Sequence, residues 1–185
     1  MKEDILTQNK ILFQSVDMPK GYEIDREYLK GAVYDSVLLK NKRKSPDRTH
    51  FDHLDFGFVY TSELDRLFAI CSERFHVKTK LSIMRMDFWA NNFYPNEQSP
   101  ITRNRLVYPD LREAPDWVMI YALEKHPDSS NLVFEYEDTR GQTVMRYHNF
   151  KTNDVVWFPS NLKYRFEINR ADTPSCFIGV TYTIR

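Results

Sequence analysis

Six short segments in the last third of the chain constrain its fold more than any other feature of the sequence. Each is rich in aromatic or β-branched residues, and turn-forming residues separate one segment from the next. The segments are Trp117–Glu124, Asn131–Glu137, Val144–Phe150, Asp154–Pro159, Tyr164–Ile168 and Cys176–Ile184. Their starts recur about every ten to thirteen residues, a spacing typical of an antiparallel sandwich or jelly roll.

Helical periodicity marks two segments that precede this β region. Asp25 is a predicted N-cap for a helix that continues to about residue 40. A second amphipathic helix is predicted over Thr61–His76, with Ser62 as a possible cap. Residues 1–10 are polar, and we expect them to be ordered only where they meet another part of the protein.

The length and composition favour one domain with a substantial core. The chain has 185 residues, of which 42% are hydrophobic and 15% aromatic. We predict a single domain over residues 1–185, in which 1–80 supply a supporting strand and helices and 81–185 form the β core. The fold class is α+β, mainly β, and the core is a double-stranded β-helix, or jelly roll.

Charge and hydropathy exclude several classes of function. The formal net charge is zero, so no overall field attracts nucleic acid or an anionic membrane. No apolar run reaches the roughly 18 residues of a membrane span, and no signal-peptide pattern is present. We therefore expect a protein of the cytoplasm or of a virion. The two cysteines, Cys71 and Cys176, are expected to be unpaired and buried.

Four segments resemble the core strands of the Fe(II)/2-oxoglutarate-dependent oxygenases of the prolyl-hydroxylase type. Phe88–Asn96 is similar to a strand that ends in N-x-Y-x-P-G in that family, and Trp117–Leu123 to the following aliphatic-Y-L strand. Lys151–Ser160 resembles the G-D-aliphatic-x-F-P-S strand, and Cys176–Ile184 resembles the strand that begins with a 2-oxoglutarate-binding arginine. The resemblance implies a double-stranded β-helix over about residues 81–185.

The same resemblance implies where Fe(II) ligands would stand, and those positions carry other residues. The distal histidine of the family corresponds to Tyr164. The proximal H-x-D is best matched by Tyr108-Pro109-Asp110, which keeps the carboxylate but has tyrosine in place of histidine. Fe(II) sites of this kind need two imidazoles and one carboxylate on one face. Tyr108 and Tyr164 are interpreted as rings that fill the vacated cavity.

The 2-oxoglutarate clamp is also replaced, because Thr173–Ser175 stand near the place of its arginine. Arginines do occur in the loop that would cross the mouth of the pocket, at Arg103, Arg105 and Arg112. They either line a rim for an anionic ligand or acidic partner, or pair with nearby carboxylates on an ordered surface loop. The alternation of charge sign in this segment favours the second interpretation.

A displaced metal site is the main alternative. His53-Leu54-Asp55 is a literal H-x-D, and His148 could supply the second imidazole. The position of this motif before the second helix argues against it. The other interpretation places His53 as an ordinary strand residue, and His148 on the solvent side of its strand beside Arg146.

Two functions follow from these interpretations. The favoured one is a non-catalytic oxygenase-like module, with no cofactor, that is a structural or binding part of a larger assembly, such as a phage virion. Protein partners or a homo-oligomer are then expected, and neither a membrane nor nucleic acid. The alternative is a hydroxylase that depends on Fe(II) and 2-oxoglutarate and uses displaced ligands.

Overall fold

A computed structural model describes residues 1–6, 9–41, 60–99, 101 and 113–185. Two helices and nine strands lie within these ranges. In chain order they are β1 (Lys2–Leu6), β2 (Asn9–Ser15), α1 (Arg26–Asn41), α2 (Ser62–Thr79), β3 (Ile83–Phe93), β4 (Trp117–Glu124), β5 (Leu132–Glu137), β6 (Thr143–His148), β7 (Asp154–Pro159), β8 (Lys163–Phe166) and β9 (Ser175–Ile184). The predicted class, α+β and mainly β, is confirmed.

The described strands form two antiparallel sheets. The larger sheet has six strands in the order β1-β2-β7-β4-β9-β3, and the smaller has three in the order β6-β5-β8. All six segments predicted as strands in the last third are strands here. Two have the predicted bounds, two start one residue away from the predicted position, and the strands predicted over Val144–Phe150 and Tyr164–Ile168 start one residue and stop two residues early. Strong alternation and clear turn residues explain this agreement.

The first strand was missed by the sequence analysis. Lys2–Leu6 pairs antiparallel with β2, and Lys2 lies opposite Phe13. Its composition is polar, so periodicity gives no strand signal there. The strand forms because β2 presents an edge to pair with, a tertiary effect that outweighs local preference.

Capping residues fix where both helices begin. The Asp25 carboxylate accepts a hydrogen bond from the Tyr28 amide at 3.0 Å, which confirms Asp25 as the cap of α1. Thr61, rather than Ser62, caps α2, because its extended backbone lets its hydroxyl accept from the Leu64 amide at 3.1 Å. Within the described parts of the chain, no helix has both the length and the apolar character needed to cross a bilayer.

The two faces of the large sheet bury different layers. One face packs on the helices through residues such as Leu67 and Phe75 of α2 and Trp157 of β7. The opposite face packs on the small sheet through a cluster that includes Phe134, Phe158, Phe166 and Phe177. We call this second layer the inter-sheet space.

Gly179 of β9 is required by a close approach in that space. It pairs with Trp89 of β3, and a Cβ atom added to it would overlap the Trp89 indole ring. The ring is 5% exposed and lies over the glycine backbone. Only glycine leaves room for this arrangement without moving the ring.

We expect Gly179→Ala to lower the free energy of unfolding by about 1–3 kcal/mol, because the added methyl overpacks a filled core. The measurement is chemical denaturation followed by tryptophan fluorescence. Gly31→Ala is the matched control, since nothing lies within 4 Å of a Cβ at that position in α1. There, the better helix propensity of alanine is expected to add up to about 1 kcal/mol. Equal stability of Gly179→Ala and the wild type would contradict the proposed contact.

Candidate functional site

The register of strand pairing determines which side chains lie on the inner face of the small sheet. Phe134 of β5 lies opposite Arg146 of β6 on one side and opposite Tyr164 of β8 on the other. In an antiparallel sheet, directly opposed side chains share a face. The next row in the same direction joins Leu132, His148 and Phe166. The residues of these two rows are buried toward the inter-sheet space, except for Arg146, which is exposed.

Tyr164 lies inside this aromatic layer. Tyr164 is only 5% exposed, and the centroid of its ring is 4.9 Å from that of Phe158, in an edge-on contact. A second edge-on contact joins it to Phe166 at 6.4 Å. The phenol of Tyr164, which the sequence resemblance aligns with the distal histidine of the family, thus lies within a packed cluster of rings.

His148 is on the other side of its strand from the one predicted. It shares a face with Arg146 as expected, but that face points between the sheets, and His148 is only 9% exposed. Its ring lies 4.9 Å from that of Phe13 on β2 and 5.3 Å from that of Phe134. The solvent-facing placement is therefore wrong, because the register opposite Leu132 turns His148 inward.

The remaining predicted site residues fall outside the described ranges. These are His53, Asp55, Arg103, Arg105, Tyr108, Asp110 and Arg112. Their roles, and the interpretation of Tyr164 as a replaced ligand, stay predictions. Among the residues that the structure does describe, no group of three or more His, Cys, Asp or Glu side chains could hold a metal ion. The described residues by themselves do not supply the two imidazoles and one carboxylate of an Fe(II) oxygenase site.

A buried hydrogen-bond network lies beside Thr173–Ser175, the segment at which the sequence resemblance implies that an arginine has been replaced. The Asn169 amide donates to the main-chain oxygens of Phe93 at 2.9 Å and Thr173 at 2.8 Å. Its Oδ1 accepts from the Ser129 hydroxyl at 2.7 Å. Ser130 donates to the Ser175 hydroxyl at 3.0 Å. The sequence analysis missed Asn169, because a fully buried asparagine in a turn looks like any other turn residue.

Neither cysteine is available as a nucleophile near neutral pH. Cys71 and Cys176 are both free and buried, as predicted. Burial raises the pKa of each thiol to about 12. Because the thiolate is the reactive form, cysteine-based catalysis by these residues is not supported.

Lys125 is a buried cation at the end of β4. It is 6% exposed, and its ammonium donates to the main-chain oxygens of His126 at 3.1 Å and Pro127 at 3.2 Å, and to Asn149 Oδ1 at 3.1 Å. Burial lowers the pKa of Lys125 to about 8, although the negative charges of Asp128 and Glu167 oppose the shift. Its contacts are those of a residue that fixes the turn before β5.

Tyr164→Ala is expected to lower the free energy of unfolding by about 3–5 kcal/mol, because it removes a ring from the centre of the aromatic layer. Urea denaturation measures the change. Tyr147→Ala on β6 is the control, since Tyr147 is 54% exposed on the outer face, and we expect a change within about 0.5 kcal/mol. Equal effects of the two substitutions would show that the Tyr164 ring does not contribute to the packing.

Lys125 should make stability rise with pH above about 8. The folded protein releases the Lys125 proton near pH 8, whereas the unfolded chain holds it until about 10.5. The unfolded state therefore binds more protons in this window, and the cost of burying the charge falls as the pH increases. The measurement compares wild type with Lys125→Met by urea denaturation from about pH 7.5 to 9.5. Parallel pH profiles for the two proteins would contradict the lowered pKa.

The fold is similar to that of several solved oxygenases. A prolyl-4-hydroxylase from Pseudomonas putida has a TM-score of 0.60 at 12% identity, over 95% of this chain and 88% of that one. A viral collagen prolyl hydroxylase from Paramecium bursaria Chlorella virus-1, in complex with 2-oxoglutarate, has a TM-score of 0.59 at 11% identity, over 92% and 94%. A 2OG-Fe(II) oxygenase family oxidoreductase from Burkholderia pseudomallei has a TM-score of 0.53 at 11% identity, over 69% of this chain. The chain spans only 59% of that last protein.

These similarities correct one expectation from the sequence. We expected no cofactor, but the structures that share the fold belong to enzymes that use Fe(II) and 2-oxoglutarate, so that expectation is contradicted. No protein-family model and no curated protein matches the sequence. The resemblance suggested by the four strand motifs is confirmed for the fold. The chain has the jelly-roll fold of the 2OG-Fe(II) oxygenases.

Proposed function

We propose that this chain is a non-catalytic module with the oxygenase fold, and that it acts as a structural or binding component of a larger assembly. One observation carries the proposal. Tyr164, which stands at the position of a ligand histidine in the resembled family, is packed edge-on against Phe158 inside the inter-sheet space. A side chain used as core packing is poorly placed to take part in turnover.

The chemistry of the phenol supports the same conclusion. A phenol coordinates a metal best after it loses its proton, and its reference pKa is about 10, so ionisation near neutral pH is costly. The turn near Thr173, where the family carries its arginine, is instead held by the neutral Asn169 amide.

The proposed role is one of association with other proteins. Jelly rolls are common as capsid and appendage domains, and a phage virion is one assembly that such a module would suit. The partners would be other proteins or further copies of this chain, in the cytoplasm or in the virion. A membrane or nucleic acid is not among them, because the net charge of zero gives no general attraction to anionic surfaces.

A second candidate is supported by the comparisons. The proteins that share the fold include a 2OG-Fe(II) oxygenase and a hydroxylase in complex with 2-oxoglutarate. This candidate is an Fe(II)/2-oxoglutarate-dependent hydroxylase in which His53, Asp55 and His148 would be the metal ligands. His148 already faces the inter-sheet space, between Phe13 and Phe134.

Release of succinate from 2-oxoglutarate distinguishes the two candidates. We expect purified protein with added Fe(II), 2-oxoglutarate and ascorbate to form succinate no faster than the same mixture without protein, because under this proposal the packed Tyr164 ring takes the place of a ligand. Succinate is measured by NMR, and an active prolyl hydroxylase serves as the positive control.

His148→Leu is the matched variant for this assay. Succinate formed by the wild type and lost in His148→Leu would contradict the non-catalytic proposal and support the second candidate. Succinate formed equally by both proteins would contradict the proposed ligand set as well as the non-catalytic role. Circular dichroism of the variant confirms that the fold is retained.

A further inference from the structure

An open groove lies on the helix side of the large sheet, between α2 and the first strands. Its volume is about 800 Å³, and its lining is largely apolar and includes Ile70 and Val77 of α2 together with Met1 and Met18. Val77 is 62% exposed and Met1 is 40% exposed. Large apolar side chains at the rim of an open groove mark an interaction surface.

Gln14 of β2 lines this groove and carries an unsatisfied amide whose two polar atoms are buried. It lies two residues after Leu12, which packs with the helices, so its side chain points to the same side of the sheet. Gln14 lines the groove and is 6% exposed. Neither its Oε1 nor its Nε2 has a hydrogen-bond partner in the structure. A buried amide left without partners is costly, so this one is expected to meet its partner in a complex.

We propose that this groove binds an extended polypeptide segment of a partner protein, and that Gln14 pairs with a main-chain amide of that segment. A peptide unit offers one donor and one acceptor side by side, which matches the two unused groups of the Gln14 side chain. Its apolar side chains would contact Val77 and Ile70. Met1 has a flexible, unbranched side chain that can move aside to admit it, as methionines do at other peptide-binding surfaces.

The cations around the groove argue against an anionic ligand. The Arg74 guanidinium donates to the main-chain oxygens of Ser15 at 2.6 Å and Asp17 at 3.3 Å. The Lys78 ammonium is 3.6 Å from the Glu3 carboxylate. Because the Arg74 donors and the Lys78 charge already have partners, and the Glu73 carboxylate also lines the groove, hydrogen bonding and apolar contact are expected to dominate binding. The affinity should then change little with salt, in contrast to binding by exposed charges.

This inference deepens the proposed function, because it assigns a surface to the binding role and rests on that role. The two can still fail separately, since the groove and the inter-sheet space lie on opposite faces of the large sheet. Succinate formation together with peptide binding would overturn only the non-catalytic role. No succinate and no peptide binding would overturn only the groove.

The test uses a phage-displayed library of random twelve-residue peptides, selected on the full chain and counter-selected on Val77→Arg. Enriched peptides are synthesised, and their affinities are measured by fluorescence polarisation at low and high salt. We expect wild type to bind them, and Val77→Arg to bind about tenfold more weakly or worse, because a charge then blocks the apolar rim. Met145→Arg is the matched control, since Met145 is 46% exposed on the small sheet, and it should bind like the wild type.

Gln14→Met separates a binding role from a structural one. It keeps the length of the side chain and removes the unsatisfied amide, so the variant should be at least as stable as the wild type. Peptide affinity should nevertheless fall by about tenfold, because the hydrogen bonds to the main chain are lost. Unchanged affinity, or a marked loss of stability without loss of affinity, would overturn the proposal.

Two further outcomes would also overturn it. One is a selection that enriches no peptide for the wild type over Val77→Arg. The other is a wild-type protein that self-associates in sedimentation analysis while Val77→Arg is monomeric, since the occupant of the groove would then be a second copy of the chain.

Discussion

Contact between aromatic rings across the inter-sheet space joins the two sheets and sets what the interior can hold. The ring centroid of Phe166 in the small sheet is 4.3 Å from that of Phe177 in the large sheet, and the ring centroids of Phe134 and Phe158 are 4.9 Å apart. Pairs of this kind contribute about 0.5–1.5 kcal/mol each beyond the burial of their area. The small sheet has three described strands, so it depends on this layer to remain attached. Stability and open interior volume therefore compete for the same space.

Much of the fold could be predicted because the local signals agree with the tertiary structure. Strands β4 and β7 have the bounds that composition and turn residues indicated, and Asp25 caps α1 as its type and position suggested. The first strand could not be predicted in this way. Its pairing depends on a partner edge and not on its own residues, so no local pattern contains the information.

The candidate site was predictable only in part, and strand register explains the difference. The resemblance pointed to Tyr164 through its spacing from the Phe158-Pro159-Ser160 segment, and the structure buries that residue, while its role as a replaced ligand stays a prediction. The side on which His148 lies was not predictable, since β6 carries both polar and apolar residues on each face. A shift of one residue exchanges the two faces of a strand. Only pairing with Leu132 decides that His148 points inward.

The groove at Gln14 lies where α2 does not fully cover the large sheet. The large sheet buries one face under the helices and the other under the small sheet. Strands β1 and β2 form one edge of this sheet. There α2 leaves a gap above Gln14, and the amide of that residue remains without a partner. A chain selected only for stability would place an apolar residue at such a position, since it would fill the same volume without an unsatisfied group. The glutamine therefore indicates that hydrogen bonding at this position has a use that the isolated chain does not show.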